Sequence, residues 1–165
     1  PGVDPNRLLN VVGELSLVAG APGLVGGQVV DLECEGKEVD LETLEYIHLH
    51  KTGALLKACV RTGAMIAGAN EKLLQALTTY AEGIGLAFQI IDDILDLTSS
   101  SEKLGKTAGK DLLADKTTYP KLLGMEESKK RAFDLVAKAK KAIEPWGEDA
   151  KYLISLADFI TNRDR

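Results

Sequence analysis

The chain has 165 residues, 45% of them apolar and 27% charged, with 25 acidic against 20 basic side chains and a formal net charge of −5. That balance fits one globular domain with a sizeable core and excludes a disordered chain. The acidic surplus argues against a general nucleic-acid binder, because phosphate backbones are held by surplus Lys and Arg, so any phosphate contact must be local.

In chain order the sequence reads as helix after helix. Asp4 is a candidate N-cap with Pro5 at the first helical position, followed by Leu8, Leu9, Val12 and Leu15 at helical spacing. A second helix restarts after Pro22 and carries "GLVGGQVVDLE"; the charged "CEGKEVD" is a loop. Asp40 is placed to cap one long helix reaching about Gly68, and Asn70 another running to about Thr98. A Ser-rich loop at 99–101 leads into "EKLGKTAGKDLLADKTTYPK", and two last helices are expected over about 126–143 and 148–162. No stretch alternates β-branched with polar residues over a useful length. The expected fold class is an all-α helical bundle, one domain over 1–165.

Cys34 and Cys59 lie far apart with no CxxC or His partner spacing, which predicts free thiols in a reducing compartment, with Cys59 packed in the core. No uninterrupted apolar stretch approaches the ~20 residues of a membrane span, and no targeting segment is visible. The chain opens on Pro1, with no Met, which reads as a piece of a longer protein. Gly26, Gly27, Gly53, Gly63, Gly68, Gly83 and Gly85 sit within helical segments, each costing about 1 kcal/mol against Ala there. Their number predicts helices that approach one another closely, or backbone that comes near a ligand.

The stretch "GLAFQIIDDILDLT", residues 85–98, is the one where chemistry shows. Asp92 and Asp96 lie about 40° apart on a helix, Asp93 flanks them, and Gln89 stands one turn earlier on the same side. Ile90, Ile91, Ile94, Leu95 and Leu97 fill most of the remaining circumference, so the helix is expected to be surrounded by protein. A solvated acidic stripe is the ordinary fate of such strings. Here, however, the neighbours are apolar and the next basic residue is Lys103. Carboxylates without Cys or His favour hard cations, and Mg²⁺ commonly takes one or two carboxylates plus a substrate phosphate. Phosphate in turn calls for cations, and the following loop supplies Lys103, Lys106, Lys110, Lys116 and Lys121 against Glu102, Asp111 and Asp115. The later "SKKRAFDLVAKAKK" has the spacing of a solvated helix face.

Three weaker patterns fail. "GKT" at 105–107 lacks the P-loop Gly at position 100, where Ser100 stands, and "GIG" at 83–85 lacks a third Gly. His48 and His50 are two apart, whereas a helical zinc pair needs i and i+4; one of them is expected in a core or interface.

Taken together, "GLVGGQVVDLE", "IHLHKTGALL" and "GLAFQIIDDILDLTSSSEKLGKTAGKDLLADKTTYPKLLG" resemble the C-terminal half of the trans-prenyl diphosphate synthase family, nearest the geranylgeranyl diphosphate type of plastids and photosynthetic bacteria. The resemblance implies the isoprenoid synthase fold and Mg²⁺-dependent condensation of an allylic diphosphate with isopentenyl diphosphate. It also implies roles. Asp92, Asp93 and Asp96 match the second aspartate-rich motif, which holds Mg²⁺. Lys51, Thr52, Gln89, Lys106, Lys110 and Lys116 match positions around the diphosphate. Gln28, Asp31 and Phe88 match the cavity, and the basic ending with Arg163 and Arg165 could cover the site mouth. A homodimer, or a heteromer with a regulatory subunit, and a plastid or bacterial-cytoplasmic location are implied likewise.

The family carries a first aspartate-rich motif that this chain lacks, which predicts that the 165 residues alone are inactive. The alternatives are a noncatalytic partner subunit of a heteromeric synthase, against which the intact "DDILD" argues, and a terpene cyclase-like enzyme of the same superfamily.

Overall fold

A computed structural model describes residues 2–98 and 116–163. The described residues are helical throughout, with no strand among them, as the absence of period-two patterning predicts. Helices α1 (Pro5–Ala19) and α2 (Leu24–Glu33) meet at a break around Gly20 and Gly23. Next come α3 (Leu41–His48), a π-helical turn (Leu49–Gly53) and α4 (Ala54–Ala67). The long α5 (Glu71–Thr98) follows, then the short α6 (Tyr119–Leu123), α7 (Met125–Ile143), a 3₁₀ segment (Glu144–Ala150) and α8 (Lys151–Asn162).

The caps stand where side-chain chemistry puts them. Asp4, Asp40 and Asn70 each accept a hydrogen bond from a backbone N–H two or three residues on, of Asn6 at 2.8 Å, Thr43 at 2.9 Å and Leu73 at 2.9 Å. The helix expected to run unbroken from Asp40 to Gly68 is interrupted by the π turn. Such a turn inserts a residue into the helical ladder, and helical periodicity in sequence does not reveal one. The last helix starts at Lys151, later than expected, because Gly147 at φ +52° forces a kink in the 3₁₀ segment.

Helix α5 is the axis of the core. Tyr80, Ala81, Ala87 and Ile90 are fully buried on it, facing Ala132, Ala139 and Ile143 of α7. At Gly83 a Cβ would come within 3.0 Å of the Ala139 Cβ, so the glycine lets α5 and α7 approach closely. The Tyr80 hydroxyl donates to the Leu153 carbonyl at 2.7 Å and ties α8 to the same axis. Trp146 packs against this core at the junction of the last helices.

One expectation needs correction. Cys59 is exposed, because it points away from the α5-facing side of α4 that Ala58 occupies. Pro5–Glu33 is long and apolar enough by length and composition to cross a membrane, with a mean hydropathy of 1.6, and is the single such stretch among the described residues. Asn10, Glu14 and Ser16 interrupt it, and the break at Gly20–Gly23 divides it into two helices. Leu8, Leu9, Val12, Leu15 and Leu17 on α1 and Val25, Val29 and Leu32 on α2 are exposed.

Candidate functional site

The C-terminal half of α5 runs along one wall of a cleft whose other walls come from α2, the end of α3, the π turn and residues 116–118. Gln89, Asp92 and Asp93 face it from α5, Asp31 from α2, Lys51 from the π turn, and Lys116 from the strand of chain entering α6. Residues far apart in sequence thus converge on one volume, and with Glu35 and Lys37 also lining it, four carboxylates and three ammonium groups surround it.

The convergence depends on a close approach. A Cβ at Gly27 would lie 2.3 Å from the backbone nitrogen of Lys51, so α2 touches the π turn through glycine, where no other side chain fits. One turn on, Asp31 therefore reaches Lys51: Lys51 Nζ donates to Asp31 Oδ2 at 2.6 Å. Lys116 Nζ reaches the same carboxylate at 3.2 and 3.3 Å. Burial of Asp31 favours its neutral form, but the two ammonium groups outweigh this and hold its pKa below the ordinary 3.8.

The adjacent acids on α5 have different surroundings. The Asp93 side chain is buried, and its Oδ2 accepts the Tyr119 backbone N–H at 2.9 Å, fixing the start of α6. His48 Nε2 stands 3.5 Å from the same oxygen, and its ring stacks on that of Tyr119. Burial and the nearby Glu45 carboxylate raise the Tyr119 pKa, which keeps this phenol neutral. Asp92 is 44% exposed at its side chain and pairs with Arg163 at 3.2 Å. That guanidinium also donates to the Phe88 carbonyl at 3.0 Å and lies 4.0 Å over the Phe88 ring. Arg163 is thereby held against Asp92 and Phe88, though it does not itself line the cleft.

The other positions distribute as follows. Asp96 is buried at 4% exposure, one turn beyond Asp92, and does not line the cleft. Thr52 sits beside Lys51 in the π turn, Gln28 is half-buried on α2 before Asp31, and Phe88 is covered by Arg163. None of these three lines the cleft. Lys106, Lys110 and Arg165 lie outside the described residues. Sequence reasoning passed over His48, rejected as a zinc ligand, and Tyr119, whose contribution is a backbone N–H that residue type does not signal.

The donor set fits a hard divalent cation of the Mg²⁺ kind. Asp92 and Asp93 offer carboxylate oxygens at one cleft, and Mg²⁺ typically uses one or two carboxylates, completing its shell with water and phosphate oxygens. An all-protein cage would need more donors, and no three His, Cys, Asp or Glu gather as one metal site among the described residues.

Comparison with known proteins matches the chain to one family. The polyprenyl synthetase family pattern matches residues 7–153. Over 163 residues the chain is 56% identical to a dimethylallyltranstransferase of Fischerella ambigua (strain UTEX 1903), covering 98% of this chain and 47% of that protein. It is 52% identical over 165 residues to a chloroplastic geranylgeranyl pyrophosphate synthase of Capsicum annuum, covering 99% of this chain and 45% of that one. A geranyltransferase of Helicobacter pylori, solved with magnesium and isoprenyl diphosphate, superposes with a TM-score of 0.81 at 28% identity, covering 98% of this chain and 53% of that structure. The chain spans about half the length of the curated relatives it matches.

Proposed function

Because the chain belongs to the polyprenyl synthetase family, we propose that it forms the C-terminal half of a synthase that joins an allylic diphosphate to isopentenyl diphosphate, with a C20 geranylgeranyl product. The observation that carries this reading is the placement of Asp92 and Asp93 on α5 across one cleft from Lys51 and Lys116. Carboxylates that need a cation and ammonium groups that need an anion are together satisfied by a metal-bound diphosphate.

In this reading Asp92 and Asp93 hold Mg²⁺, as the magnesium-bound Helicobacter pylori relative supports by likeness. When bound, the ion neutralises charge developing on the diphosphate leaving group. Lys51 and Lys116 supply fixed positive charge to the same group without needing to reorganise as the carbon–oxygen bond breaks. Gln89 faces the cleft from α5 beside the acids and orients the diphosphate. Asp93 is restrained by the Tyr119 N–H, so its carboxylate is pre-set. An allylic cation formed there needs an apolar surround to escape quenching by water. Lys106 and Lys110, and Asp96 one turn further along α5, belong to the same proposed site.

Partners in this reading are the two diphosphates and a second synthase subunit, identical or regulatory. The cyanobacterial and chloroplastic relatives support a bacterial cytoplasm or plastid as its location. A synthase of the relatives' full length should bind geranyl diphosphate in a Mg²⁺-dependent manner, measured by calorimetry, and lose that binding in Asp92→Ala and in Lys51→Ala. Wild-type affinity in both variants would refute the assignment. The isolated 165 residues should show no prenyl transfer in a radiolabelled isopentenyl diphosphate assay, and turnover by them would refute the half-site reading.

A further inference from the structure

Asp31 stands apart from the acids on α5, because its carboxylate is already engaged. It receives Lys51 on Oδ2 at 2.6 Å and Lys116 across both oxygens at 3.2 and 3.3 Å. The three residues come from α2, the π turn and the approach to α6, and no other carboxylate is recorded in contact with either lysine among the described residues. Asp31 is also the deepest of the three: its side chain is 14% exposed, against 35% for Lys51 and 29% for Lys116. An anion entering the cleft therefore meets the two ammonium groups before it meets the carboxylate behind them.

We propose that Asp31 is a positioning residue, whose carboxylate neither binds the metal nor touches substrate but holds the Lys51 and Lys116 ammonium groups side by side as a preformed diphosphate cradle. This rests on the reading of the cleft as a diphosphate site and deepens it. A lysine side chain has about 2 kcal/mol of rotamer freedom to lose when fixed, and Asp31 removes that freedom before ligand arrives. The arrangement has an electrostatic consequence. A carboxylate behind two ammonium groups lowers their net charge and competes with an entering anion, so it weakens ground-state attraction while improving geometry. Misplacement of a reacting or stabilising group by about 1 Å can cost 10²-fold in rate.

The two effects have opposite signs, which makes the role testable in a synthase of the relatives' full length. Asp31→Asn should lower kcat about tenfold or more, yet bind inorganic pyrophosphate without metal about fivefold tighter, the factor expected from removing a unit charge a few ångströms away at high dielectric. Asp31→Glu, which keeps the charge and both ion pairs within reach, should recover most of the lost kcat. It also keeps the test readable if the Asn variant fails to fold, in which case a kcat for Asp31→Glu far below wild type at an unchanged thermal midpoint contradicts the proposal. Wild-type kcat and pyrophosphate affinity in Asp31→Asn would overturn it. So would a loss of pyrophosphate binding seen only with Mg²⁺ present, since that is the behaviour of a metal ligand. Wild-type protein that binds no pyrophosphate under either condition would instead remove the diphosphate reading itself, and the proposal with it.

Discussion

Helices α5 and α2 both deliver carboxylates to the same cleft, but they deliver them in opposite conditions. On α5, Asp92 and Asp93 sit on a helix whose other faces are buried, and they are steadied by a guanidinium and by a backbone N–H. On α2, Asp31 sits on a helix with exposed apolar neighbours and is held by two lysine ammonium groups. In the proposed site the α5 carboxylates take a cation, whereas the one on α2 is engaged by two lysines. Identical side chains in one cleft thus differ in their surroundings, because their nearest partners differ.

The largest effect should come from removing the buried acid on α5. Asp93→Ala removes a carboxylate proposed to hold the cation and leaves the Tyr119 N–H unpaired, so turnover should fall about 10²–10³-fold, and stability should fall by about 1–3 kcal/mol. Steady-state kinetics and urea titration read the two losses separately. Asp92→Ala should match the kinetic loss with a smaller change in stability, since Asp92 is 44% exposed and among the described residues its side chain pairs with Arg163. Equal stability losses in both would erase the distinction between the two acids.

A middle effect should follow from separating α2 from the π turn. Gly27→Ala places a Cβ 2.3 Å from the Lys51 nitrogen, which backbone must move to accept. The variant should lose about 1–3 kcal/mol of stability and weaken diphosphate binding as well, through the altered Asp31–Lys51 distance. Unchanged binding at reduced stability would show that the cradle does not depend on this contact.

The smallest effect is on acid stability. The Asp31 pKa is lowered in the fold, so its ion pairs stabilise fully above the ordinary value of 3.8 and are lost as pH falls through the lower folded value. Thermal midpoints of wild type and Asp31→Asn should therefore differ at neutral pH and converge below about pH 3.8. A constant difference across that range would mean that the lysines do not sense the charge on Asp31.

Much of this was legible in the sequence where chemistry is local. The caps Asp4, Asp40 and Asn70 follow from residue type and position, and the acids of α5 stand out because carboxylates within a buried apolar helix demand a partner. Long-range pairings were not legible. Nothing in "GQVVD" or "HKTG" announces that Asp31 meets Lys51, because that contact depends on Gly27 admitting a backbone and on a π turn that periodicity does not reveal. The same limit hid His48 beside Asp93, and it placed Cys59 in a core that its own face of α4 turns away from. Helices α1 and α5 read alike as apolar helices, yet α5 is buried and α1 has no buried residue, since hydropathy reports the wish for a partner and not its presence.

In the proposed site α5 carries the cation, while Lys51 of the π turn and Lys116 before α6 carry the anion. Crystals of a full-length synthase grown with Mn²⁺ and pyrophosphate test it by anomalous scattering. The account predicts a Mn²⁺ peak against Asp92 and Asp93, with pyrophosphate between that ion and the Lys51 and Lys116 ammonium groups, and Asp31 still behind the lysines. A peak on Asp31, or pyrophosphate bound away from this cleft, would contradict it.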